Sequence, residues 1–288
     1  MDASLSAIRI FLSNGSINII RYLPQVGGEY RKLARSLAKT GVRRAARRLE
    51  RYMHIIAVAS QKGGSGKTTL AGHLAVQADR AGFGTVALVD TDPQGSLSEW
   101  WNARTAETPL FARTSAGRLA TDIERMRELG IKLLVVDTPP AIEATITEVI
   151  GLADLVVIPA RPSPHDLRAA GATVELVERM GKQLVFVINA ATPRARITAE
   201  AVMALSQHGT LAPVILHHRT GFAASMIDGR TVMEVPGEAR SAEEIALLWE
   251  YLANRLNRDF RTMLPNQILS AAAKGEDQPI AVGQQGAD

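Results

Sequence analysis

Between the apolar stretch Ile55–Ala59 and a helix-like segment starting at Lys67, the chain reads Ser60-Gln61-Lys62-Gly63-Gly64-Ser65-Gly66-Lys67-Thr68-Thr69. These residue types in this order suit one task, the holding of a nucleoside triphosphate. Glycines let the backbone turn tightly and aim several N–H groups at phosphate oxygens. A helix that opens at Gly66–Lys67 adds the positive end of its dipole. Lys67 is placed to reach the β- and γ-phosphates, and the Thr68 hydroxyl to coordinate Mg²⁺. Gly63, Gly64, Ser65, Gly66 and Thr69 complete the expected cradle. The general pattern G-x-x-x-x-G-K-[ST] asks for glycine where Gln61 stands. Lys62 adds a second lysine five residues before Lys67.

Two acidic elements follow. Val86–Val89 is an apolar run that leads into Asp90-Thr91-Asp92-Pro93-Gln94-Gly95-Ser96. Alternation along a strand would put Asp90 and Asp92 on one side, both able to face the phosphates. Leu133–Val136 is a second apolar run, closed by Asp137 and then Thr138-Pro139-Pro140.

Lys62–Thr69 resembles the deviant Walker A motif of the ParA/MinD family of P-loop ATPases, of ParA type. The resemblance implies ATP and Mg²⁺ as cofactors. It makes Lys67 the lysine that serves its own subunit's nucleotide, and Lys62 the one that crosses an ATP-dependent homodimer to the partner's nucleotide. Asp90–Ser96 resembles the family's D-x-D-P-Q-G element, so Asp92 is implied to orient the attacking water and Asp90 to support the Mg²⁺ region. Leu133–Pro140 resembles the Walker B segment, with Asp137 holding Mg²⁺ through water. Ala153–Leu167 matches a ParA-type strand and loop, and Val187-Ile188-Asn189 resembles the strand end whose asparagine contacts adenine in relatives. Arg219–Ile245 resembles the C-terminal region in which relatives carry DNA-contacting basic residues, which nominates Arg219, Arg230 and Arg240, and more weakly Arg194 and Arg196. The resemblance covers about residues 53–258.

Elements of matching kind must position these residues. Short apolar runs at Ile55–Ala59, Thr85–Val89, Leu133–Val136, Leu155–Ile158, Leu184–Ile188 and Pro213–Leu216 alternate with helical stretches. The helical stretches are Lys67–Ala81, Leu119–Leu129, Asp166–Met180, Thr198–Gln207 and Ser241–Arg258. Continuous apolar strands between helices predict an α/β fold, a mostly parallel sheet with helices on both faces, as one main P-loop domain. That domain is expected over residues 53–262, after a basic extension over 1–52 and before a polar tail over 263–288.

The 288 residues hold no cysteine, which excludes disulfide scaffolds, thiolate metal sites and cysteine nucleophiles. The iron–sulfur and glutaminase-linked relatives of the fold are excluded with them. The net charge of +4 hides an asymmetry: residues 1–52 carry 11 Lys/Arg against 3 Asp/Glu, and the rest carry 22 against 26. Arg31–Tyr52 has the spacing of a basic amphipathic helix, suited to DNA, an anionic surface or a partner. It reads equally as a weakly ordered extension, or as sequence upstream of a functional start at Met53. The absence of a signal-peptide layout and of a spanning apolar run makes the expected location cytoplasmic, and the resemblance to ParA-type ATPases implies association with the nucleoid.

Taken together, the resemblance implies an ATPase that dimerises with ATP, binds DNA without sequence preference and partitions plasmid or chromosomal DNA with a ParB-like activating partner. A ParA-like ATPase positioning a non-DNA cargo is the alternative, with a MinD-like membrane-cycling regulator behind it. Membrane binding is not expected, because Gly275–Asp288 cannot form a basic amphipathic helix. His217-His218 offers no third ligand for a metal, and Trp100-Trp101 reads as packing or partner surface.

Overall fold

A computed structural model describes residues 11–13, 16–18, 52–114, 117–140 and 144–263, with side chains for those between 52 and 257. Most of the basic stretch Arg31–Tyr52 and the tail beyond Met263 therefore lie outside the described residues. Near the N-terminus β1 (Phe11–Ser13) and β2 (Ser16–Asn18) pair antiparallel.

The strands of the main sheet are β3 (His54–Val58), β4 (Val86–Asp90), β5 (Leu110–Phe111), β6 (Leu133–Asp137), β7 (Leu155–Ala160), β8 (Gln183–Ile188) and β9 (Thr210–Leu211). They lie in the order β5-β4-β6-β3-β7-β8-β9, and every pairing is parallel. The helices are α1 (Lys67–Arg80), α2 (Ser96–Ala103), α3 (Leu119–Glu128), α4 (Ala144–Leu152), α5 (Pro164–Arg179), α6 (Arg196–Ser206), α7 (Thr220–Met226) and α8 (Ala239–Met263).

The pleat explains why the central strands are apolar throughout. Ile55 and Ala57 of β3 face a core shared with α3, α4, α5 and α6, while Ile56 and Val58 face a second core built with α1, α2 and α8. Every residue of β3, β6 and β7 is buried. Burying one Leu, Ile or Val side chain contributes roughly 1.5–3 kcal/mol, so the two-sided packing fixes the sheet. The register then fixes the site: Val58 pairs with Asp137, and Asp137 pairs with Asp90 on its other side. The ends of β3, β6 and β4 thus bring the glycine loop and two carboxylates to one crevice, where open α/β sheets bind ligands.

The expected strand at Pro213–Leu216 is replaced by β9 at Thr210–Leu211. Pro213 has no N–H to give to a ladder. Ala212 and Leu216 still donate to the Phe186 and Ile188 carbonyls, at 2.8 and 2.9 Å, on either side of the interruption. Three short elements, β5, α4 and α7, carry too little periodicity to be read from sequence. No described helix is long and apolar enough to cross a membrane.

Candidate functional site: a phosphate-binding crevice

The loop from β3 to α1 is open where a ligand would approach and tight where the fold closes on it. A Cβ on Gly63 or Gly64 would meet nothing within 4 Å. Gly66, by contrast, has φ +94, and a Cβ there would stand 2.3 Å from Asn189 Nδ2. Only glycine serves at that position. Asn189, at the end of β8, donates from Nδ2 to the Ser65 carbonyl at 2.8 Å, joining the loop to the neighbouring strand end.

Lys67 stands at the first turn of α1, 7% exposed, and donates from Nζ to the Lys62 carbonyl at 3.3 Å. Burial lowers its pKa, while the charges of Asp137 and Asp92 oppose that shift. The Thr68 hydroxyl donates to Asp137 Oδ2 at 2.6 Å. Asp137 is 1% exposed, and its Oδ1 is buried with no hydrogen-bond partner. Burial pushes its carboxyl up to about 7, with Asp90 and Asp92 adding to the shift and Thr68 and Lys67 opposing it.

Asp90 serves the loop that follows it. Its Oδ1 accepts from the Asp92 N–H at 3.0 Å, and its Oδ2 from the Ser98 N–H and hydroxyl at 2.9 and 3.1 Å. Both oxygens are engaged within the subunit, so Asp90 braces residues 91–98 beside the site. Asp92 lies beyond the end of β4, in the turn, where its Oδ1 accepts from the Gln94 N–H at 3.0 Å. It reaches the site from a turn and not by strand alternation.

Lys62 is turned to its own subunit. Its Nζ is ion-paired with Asp166 Oδ2, the lysine side chain 37% exposed and the aspartate 3%. Asp166 also takes a hydrogen bond from the Ser163 hydroxyl, and its N–H donates to Ser163 Oγ at 3.2 Å, which caps α5. Burial disfavours the Asp166 carboxylate, yet the Lys62 and Ser163 hydrogen bonds outweigh it and hold the pKa below the ordinary range. No role for Asp166 was read from sequence, although Ser163-Pro164-His165-Asp166 carries a helix-start signature with proline in the first turn.

The three nominated arginines do not share one environment. Arg219 forks Glu244 with two bonds of 2.6 and 2.7 Å and lines a cavity beside Gly66 and Asn189. Arg230 is exposed and paired with Asp228, and its carbonyl accepts from Trp100 Nε1 at 3.0 Å. Arg240 is exposed at the start of α8. Arg194 has φ +59 in the loop after Asn189, and Arg196 pairs with Glu200. Trp100 is buried against Gly72, and Trp101 donates to the Pro109 carbonyl at 2.9 Å, so both pack.

The donor set fits both groups that the sequence implies. Open glycines, a helix N-terminus and Lys67 suit a triphosphate. A hydroxyl beside a carboxylate with one unpartnered oxygen suits Mg²⁺. That ion takes one or two protein oxygens and completes its shell with water and phosphate.

The sequence profile described as the CobQ/CobB/MinD/ParA nucleotide binding domain matches residues 56–232. The chain is 35% identical over 217 residues to "Maintenance of carboxysome distribution protein A" of Gloeobacter kilaueensis, covering 73% of this chain and 97% of that protein. It is 30% identical over 200 residues to the protein of the same name from Halothiobacillus neapolitanus, covering 66% and 91%. Among solved structures, an ATP complex of a Cyanothece McdA variant superposes with a TM-score of 0.58 at 18% identity, covering 70% of this chain and 97% of that one. At that identity the superposition speaks for the fold alone. The profile match and the identities to full-length relatives do more: the chain belongs to the ParA/MinD family of P-loop ATPases.

Proposed function

We propose that the protein is an ATP-driven positioning ATPase whose cargo is a large protein assembly of the carboxysome type. The observation that carries the cargo is the identity of 35% and 30% to two proteins named for carboxysome distribution, each covered over more than nine-tenths of its length. A relative named "Protein ParA" matches at 28% and one named a chromosome-partitioning ATPase at 24%, each over most of its length. DNA partition with a ParB-like partner is therefore the second reading.

The proposed chemistry is water attack on the γ-phosphate of ATP. Bound Mg²⁺ would neutralise phosphate charge, held by the Thr68 hydroxyl and Asp137. Lys67 offsets the negative charge on the β- and γ-phosphates, and Asp92 orients water from its turn. Gly63 to Gly66 supply backbone N–H groups, and Asn189 borders the base. Lys62 leaves Asp166 and crosses to the nucleotide of a second subunit, so that nucleotide binding and pairing become mutually dependent. Turnover by one subunit alone is slow, because the site offers no strong general base. The exposed Arg230 and Arg240, with the exposed Arg194 and Arg196, are the residues left to rest the dimer on DNA as a sequence-independent surface, with affinity that falls as salt rises.

The test is made in the host cell. Deleting the gene should cause large protein assemblies to clump and lose their spacing under fluorescence microscopy, with plasmids inherited normally. Loss of a plasmid with assemblies still evenly spaced would transfer the proposal to DNA partition.

A further inference from the structure

We propose that His217 is a specificity-determining residue of the nucleotide site, a fixed hydrogen-bond acceptor that selects adenine over guanine. The proposal rests on the reading of the crevice as an ATP site.

A cavity of about 150 Å³ opens beside the first turn of α1, lined by Gly66, Leu70, Asn189, His217, Phe222 and Ile245 among others. Leu70, Phe222 and Ile245 give it apolar walls that suit the faces of a flat base, and the polar groups that line it, Arg161, Asn189 and His217 among them, are left to read the edge. Asn189 cannot discriminate by itself. Its Nδ2 donates to the Ser65 carbonyl at 2.8 Å and its Oδ1 accepts from the Ala190 N–H at 2.9 Å. An amide held in that way retains one N–H and one lone pair, so it can serve either purine.

His217 lacks that freedom. Its Nδ1 lies 2.7 Å from Glu244 Oε1, and its backbone N–H donates to Glu244 Oε2 at 3.0 Å. Arg219 grips both oxygens of the same carboxylate. Partial burial disfavours ionisation of Glu244, but the bonds from Arg219 and His217 prevail and hold its pKa below the ordinary range. A carboxylate accepts and does not donate. The proton of the neutral imidazole must therefore sit on Nδ1, which leaves a lone pair on Nε2. Nε2 has no hydrogen-bond partner among the described residues, and the side chain is 31% exposed where it borders the cavity. The exocyclic amine of adenine satisfies that lone pair. The carbonyl of guanine sets acceptor against acceptor and leaves both unpaired once water is excluded, a penalty on the order of 10- to 100-fold in affinity. Arg219 thereby gains a part: it keeps Glu244 an anion, and Glu244 keeps the imidazole in one tautomer.

Fluorescent ATP and GTP analogues titrated with Mg²⁺ against the full chain test this, with thermal melts as a check on folding. Wild type should prefer ATP. His217→Gln, whose amide can donate or accept, should cut the ATP-to-GTP affinity ratio by about 10-fold, with ATP weakened and GTP improved. Glu244→Gln can accept from Nδ1 or donate to it, which frees the other tautomer, and should shift the ratio the same way. An unchanged ratio in His217→Gln, or an equal loss of both nucleotides, overturns the proposal even if wild type binds ATP well. If wild type binds neither nucleotide, the ATP reading itself fails.

Discussion

Asp137 illustrates how single residues here are set against their own stability. Burial favours its neutral form, and its pKa stands at about 7 against an ordinary 3.8. A carboxyl whose folded pKa is raised binds a proton on folding. Its penalty is absent below about pH 4, grows as pH rises towards about 7, and is constant above that. Asp137→Asn should therefore raise the melting temperature at pH 8, by an amount equivalent to on the order of 2–4 kcal/mol, and leave it nearly unchanged at pH 3. The same variant should lose the dependence of nucleotide affinity on Mg²⁺, measured by titration with and without the ion. Higher stability at pH 3 as well as pH 8 would point to packing and not to charge.

At the scale of elements, the crevice is tied to the C-terminal half of the chain by α2. Arg104, just after α2 and with a side chain only 2% exposed, bonds Glu234 at 2.8 and 3.0 Å and the Gly229 carbonyl at 2.6 Å, and it lies over the Trp100 ring. From the other side His73 of α1 donates from Nδ1 to the Thr69 carbonyl and accepts the Val232 N–H at its Nε2. Gly229 is confined here, since φ is +78 and a Cβ would stand 2.3 Å from the Arg104 N. Removing one partner of a buried ion pair leaves the other charge uncompensated. Arg104→Met should lower stability by about 3–5 kcal/mol in urea unfolding at pH 7. Partial burial works against the Glu234 carboxylate, but Arg104 and Thr231 hold its pKa below the ordinary range. The stabilisation is thus present above the ordinary pKa and lost as pH falls through the lowered one. None of this was legible in sequence, because Arg104 and Glu234 stand 130 residues apart and no spacing links them.

For the whole molecule, the decisive property is the proposed coupling of nucleotide to pairing. In the single subunit Lys62 is neutralised by Asp166, so crossing to another subunit requires exchange of that carboxylate for phosphate. Asp92→Ala should hold ATP and sediment at twice the subunit mass with Mg²⁺. Adding Lys62→Ala to it should return the protein to the single-subunit mass while ATP remains bound. A double variant that stays paired would show that the dimer does not need the second lysine.

Local order alone determined the nucleotide cradle and its carboxylates. Lys62 to Thr69, Asp90 to Gly95 and Asp137 are contiguous motifs whose chemistry depends on neighbours within a few residues, and the unbroken apolar runs before them required a sheet buried on both faces. The partners of those residues were decided only when the sheet brought distant strand ends together. Lys62 met Asp166, Asn189 met Ser65, and Arg219, nominated for a DNA surface, met Glu244 at the edge of a cavity. Charges separated by tens of residues find one another through packing, and no spacing in the chain encodes that meeting.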